Sequence, residues 1–74
     1  MKKLLFNEIV KLSDLKEGDR FHFTGKNKVY QFIKNETKFR GSRIYYYKSD
    51  QDINQSESKK DLYVIFLRNI NDKI

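Results

Sequence analysis

Apolar residues along this chain come in short alternating runs separated by polar clusters. Residues 20–24, "RFHFT", put Phe21 and Phe23 on one face and Arg20, His22 and Thr24 on the other, the period of a half-buried strand. Residues 29–34, "VYQFIK", and 43–48, "RIYYYK", are rich in β-branched and aromatic side chains and read as two further strands. Residues 61–69, "DLYVIFLRN", form the most apolar stretch and fit a central or barrel-closing strand. Residues 6–12, "FNEIVKL", match neither period well; a strand is preferred over one short amphipathic helix. Residues 13–19 form a turn-rich connector with Leu15 able to point back into the core. "GKNK" at 25–28 reads as a hairpin turn, since Gly25 and Asn27 both tolerate positive φ. Residues 35–42 form a longer loop, or two strand ends joined by a wide turn closing at Gly41. Residues 49–60, with Ile53 their sole apolar side chain, are expected to form a mobile polar loop or one short helical turn.

Five short strands in one domain of residues 1–74 most simply close into a small five-stranded antiparallel barrel, which hides edges that seed aggregation. Within that pattern, "LKEGDRFHF" followed by "GKNKVYQF" resembles the opening of SH3-like small barrels. There an L-K-x-G-D turn leads into an aromatic strand and a tight hairpin leads to a second strand carrying Val-Tyr. The same stretch is similar to short proteins encoded by bacterial viruses and mobile elements. The resemblance covers residues 15–32 and implies a module that binds peptides, nucleic acids or proteins. The polar segment 49–60 departs from the minimal barrel and is a candidate functional insertion.

Length bounds the core: a chain of 74 residues buries only about 60–65% of its unfolded surface. Zero cysteines remove disulfides and thiolate metal sites, which fits a reducing cytoplasm. The start, "MKKLLF", opens like a signal peptide, but the apolar run stops at Asn7-Glu8, short of the ~7–15 residues of an h-region. No stretch approaches the ~18 apolar residues of a membrane span. The expectation is a cytoplasmic protein without a membrane partner.

Charge adds a location. The formal net charge is +6, yet residues 1–19 balance and residues 49–74 carry four basic against five acidic groups. The excess lies in residues 20–48, where eight basic groups face Glu36 alone. A localised positive field attracts polyanions, and nucleic acid is the commonest in a cell.

Catalytic and metal chemistry find little support. His22 is the one histidine, without a nucleophile or orienting partner at a recognisable spacing. Asp50, Asp52 and Glu57 superficially suggest a Ca²⁺ loop, but Gln55 and Asp61 stand where glycine and glutamate are required. No phosphate-binding glycine loop exists. The expectation is a non-enzymatic protein without cofactors.

What remains is a constellation of rings and cations. "RGSRIYYY" at 40–47 shares Arg, Gly and a terminal aromatic with the RNA-recognition motif, but Ser42 and Arg43 replace its third and fourth residues and no helices flank the strands. On strand 43–48, alternation separates Ile44 and Tyr46 from Arg43, Tyr45 and Tyr47. Placing Ile44 and Tyr46 inward leaves Tyr45 and Tyr47 outside; the opposite division exposes Ile44. With the first division, phosphates are met by Lys26, Lys28, Lys34, Lys38, Arg40 and Arg43, and bases stack on Tyr45, Tyr47 and Phe39. Two functions follow. One is a module that binds single-stranded or structured RNA or DNA. The other is a protein-interaction module, such as a virus-encoded inhibitor or regulator docking on a host nucleic-acid-processing or defence complex.

Overall fold

A computed structural model describes residues 4–71 of the chain. It is a mainly β protein whose single antiparallel sheet curls into a half-barrel. Six strands compose it: β1 (Ile9–Lys11), β2 (Asp19–Phe23), β3 (Val29–Thr37), β4 (Arg43–Lys48), β5 (Ser56–Ser58) and β6 (Tyr63–Asn69). Their order across the sheet is β1-β6-β2-β3-β4-β5. The last strand thus sits inside the sheet, between β1 and β2, as its apolar composition foretold. The five expected strands are present, and a sixth, β5, lies within the segment expected to be a loop or helical turn. The helical turns fall elsewhere, at Leu12–Asp14 and Phe39–Gly41.

The concave side is filled by Val10, Leu12, Leu15, Phe21, Phe32, Tyr45, Tyr47, Val64 and Phe66. Alternation explains most of this set: Phe21 of β2 faces Phe66 of β6, and Val10 of β1 faces Val64. Phe21, Phe23, Tyr30 and Tyr47 form a cluster of rings with centroids 5.1 to 5.9 Å apart, most of them edge to face. Such pairs add roughly 0.5–1.5 kcal/mol each beyond the area they bury.

The expected orientation of β4 is reversed. Tyr45 and Tyr47 are 5% and 9% exposed and belong to the core, while Ile44 is half-buried on the other side. The reason is volume: a thin core gains more from two large rings than from one isoleucine. Tyr46 faces outward, and charged neighbours bury it. Its hydroxyl donates to Glu36 Oε1 at 2.8 Å, and Lys34 Nζ lies 5.5 Å from its ring centre. A bulge in β3 between Phe32 and Lys34 makes this possible. The extra residue breaks the two-residue period, so Phe32 points inward and Lys34 lies outside beside Tyr46.

The L-K-x-G-D segment is a structural device. Asp19 is 1% exposed, and its carboxylate accepts from Lys16 N at 2.8 Å and from Asn69 Nδ2 at 2.8 Å. Asp19 N in turn donates to Lys16 O at 3.0 Å, closing the turn. Gly18 takes φ +90°, and a Cβ there would lie 3.0 Å from Ile70 and 3.2 Å from Asn69. The turn therefore docks against the end of β6, and a buried carboxylate is kept satisfied by hydrogen bonds.

Candidate nucleic-acid interface at the β3–β4 hairpin

The cations of residues 20–48 do not share one surface. Asp50 and Asp52, in the segment before β5, fold back on the basic region. Asp50 pairs with Arg20 at 3.0 Å and Asp52 with Lys28 at 2.9 Å. Asp52 and the hydrogen bond it accepts hold the Lys28 ammonium above its ordinary pKa. Glu36 takes two more cations, Lys38 at 3.1 Å and Lys34 at 3.7 Å. Exposed pairs of this kind contribute little stability, about 0–1 kcal/mol each; their effect here is to cancel field. Among the described residues, Lys26 and Lys48 near the start of β3, and Arg40, Arg43 and Lys59 near its finish, form no ion pair.

Arg40, Arg43 and Lys59 gather at one place. The turn joining β3 to β4 is Phe39–Gly41, closed by Gly41 N donating to Lys38 O at 3.1 Å. Phe39 stands 85% exposed, with the Arg40 guanidinium carbon 5.6 Å from its ring centre. Arg40 itself takes a left-handed backbone, φ 66° and ψ 24°, which costs an L-residue roughly 1–2 kcal/mol. Next to the turn lies an open depression of about 400 Å³ lined by Lys38, Phe39, Ser42, Arg43, Ile44 and Lys59. Its apolar wall is Phe39 and Ile44; its polar wall carries cations and the Ser42 hydroxyl.

Of the nine residues expected to bind, Lys38, Phe39, Arg40 and Arg43 come together here. Lys34 is turned onto the outer face beside Tyr46, sharing Glu36. Lys26 and Lys28 stand at the opposite end of β3, whose nine residues span about 26 Å at the usual strand rise. Tyr45 and Tyr47 lie in the core and offer no stacking surface. Sequence reasoning missed Ser42, Ile44 and Lys59. Lys59 carried no signal, because it reaches the hairpin only through the pairing of β5 with β4, Tyr45 opposite Ser58 and Tyr47 opposite Ser56.

A second feature lies across the sheet. Leu5 and Phe6, in the turn leading to β1, are exposed, as are Ile9 of β1 and Tyr63 of β6. Ile9 stands opposite Ile65, Ile65 opposite His22, and His22 opposite Val29, a largely apolar row on the convex face. Lys11 Nζ lies 5.4 Å from the Tyr63 ring centre at its margin.

Among the described residues, no group of three His, Asp or Glu side chains is placed to hold a metal ion, and no helix is long and apolar enough to cross a membrane. Comparison with protein-family models, curated proteins and solved structures finds no match.

Proposed function

We propose that this chain is a non-enzymatic binding module of the cytoplasm that takes single-stranded nucleic acid at the β3–β4 hairpin. One observation carries the reading: a phenylalanine ring held in solvent, surrounded by Lys38, Arg40, Arg43 and Lys59. A ring of that size is normally buried in so small a domain. Stacking of a base on it is worth on the order of 1–3 kcal/mol, and the cations around it suit the adjoining phosphates. The test is anisotropy with labelled RNA and DNA single strands over a salt series. Neutralising one to three phosphates gives a log–log slope between about −0.7 and −2. Absence of binding at low salt, or binding indifferent to salt, removes the reading.

The apolar row around Ile9 favours a second reading, a protein-interaction module. Patches of exposed apolar side chains on a small domain mark contact surfaces. A virus-encoded regulator docking on a host nucleic-acid-processing or defence complex would use it. A partner that survives nuclease treatment, is lost with Ile9→Lys and is kept with Phe39→Ala would favour this reading.

A further inference from the structure

Resting on the nucleic-acid reading, we propose that the depression beside Phe39 is a subsite for one splayed nucleotide, and that the protein grips a strand at that nucleotide instead of along a track. Its volume, about 400 Å³, lies within the ordinary range for small-ligand sites, roughly 300–1,000 Å³. Its chemistry is divided as a nucleotide is. Phe39 and Ile44 offer the apolar wall for a base; Arg43, Lys59 and Ser42 offer charge and a hydroxyl for a phosphate.

Three observations limit the footprint. Arg40 already covers one side of the Phe39 ring, so one stacking face remains. The next aromatic residues on β4, Tyr45, Tyr46 and Tyr47, are all buried. The cations farther along β3 are paired: Lys34 with Glu36 and Lys28 with Asp52. A strand leaving the hairpin therefore meets along β3 only the half-buried Tyr30 ring and cations that already have a carboxylate beside them, Lys34 sharing Glu36 with Lys38. Arg40 strengthens the case, because its left-handed backbone holds the guanidinium against Phe39 at a position where glycine or asparagine would sit without strain.

The experiment is titration with oligouridylates and oligothymidylates of two, four and eight nucleotides in low salt. Variants Arg43→Ala, Lys59→Ala, Phe39→Leu and Lys28→Ala accompany the wild type, with circular dichroism to verify folding. After allowance for the number of binding registers, the dimer should bind within about threefold of the octamer. Phe39→Leu should weaken binding tenfold or more. Arg43→Ala and Lys59→Ala should each weaken binding and together remove about 0.7 from the salt slope, the share of one phosphate, while Lys28→Ala leaves affinity and slope unchanged. Affinity that climbs more than tenfold from dimer to octamer, or falls with Lys28→Ala as much as with Lys59→Ala, would establish a continuous track and overturn the subsite. Failure of every length to bind would instead remove the nucleic-acid reading beneath it.

Discussion

The two ends of β3 are built on opposite plans. At its start, the turn from β2 places Gly25 at φ 75° with nothing within 4 Å of a would-be Cβ. The rings there, Phe23, Tyr30 and Tyr47, pack on one another, and Lys28 is paired with Asp52. At its finish, the turn to β4 puts Arg40 in the same left-handed region, sends Phe39 into solvent and leaves Arg40 and Arg43 without a carboxylate among the described residues. Both turns use a glycine at positive φ. The first end buries its rings and pairs Lys28, whereas the second also puts Arg40 in the left-handed region, exposes a ring and leaves Arg40 and Arg43 without a carboxylate among the described residues. Departures from local rules that the fold does not require are where function is to be sought.

The largest effect that tests this contrast is at the start of β3. Tyr47→Ala should cost about 3–5 kcal/mol, as truncation of a buried ring does, read as a large drop in the urea midpoint. A small drop would mean that this ring is not a core element. At the other end, Phe39→Ala should leave the urea midpoint nearly unchanged and weaken single-strand binding by about 1–3 kcal/mol, measured by anisotropy. Unchanged affinity would make the exposed ring incidental.

A smaller pair of effects compares the turns directly. Arg40→Gly should stabilise the fold by about 1 kcal/mol through relief of the left-handed backbone, while weakening binding. Gly25→Arg should destabilise by a similar amount, because open space leaves the backbone as its only penalty. If Arg40→Gly brings no gain in thermal midpoint, strain at the hairpin is not the distinguishing feature.

The smallest effect concerns pH. The Glu36 carboxyl is held below its ordinary pKa, first by the Tyr46 hydroxyl and then by Lys38. A depressed carboxyl stabilises the fold above its unfolded pKa, about 4.3, and that stabilisation is lost as pH falls through the lower folded value. The Tyr46 hydroxyl is raised by the same contact, so its contribution is present below about pH 10 and disappears above the folded value. Wild type should therefore exceed Tyr46→Phe in stability near neutrality and lose that advantage below about pH 4. An advantage constant across this range would show that the hydroxyl contact does not depend on the Glu36 charge.

Much of the fold was legible along the chain. The alternation of "RFHFT" places Phe21 in the core, and "RIYYYK" coincides with β4 from Arg43 to Lys48. The candidate site was legible only in part. Lys38, Phe39, Arg40 and Arg43 adjoin in sequence and therefore in space. The inward turn of Tyr45 and Tyr47 depended on how the core filled, and the separation of Lys28 from Lys38 depended on an uninterrupted β3.

The residue order by itself determined that short strands form, where most of them lie and that positive charge concentrates in the middle of the chain, because period and composition are local properties. Tertiary structure alone decided which side of β4 is the core, since that is a competition among side-chain volumes from several strands. It also decided which cations stay unpaired. Asp50, Asp52 and Lys59 are distant in sequence from the groups they affect, and only the folding of β5 onto β4 brings that segment back across the sheet.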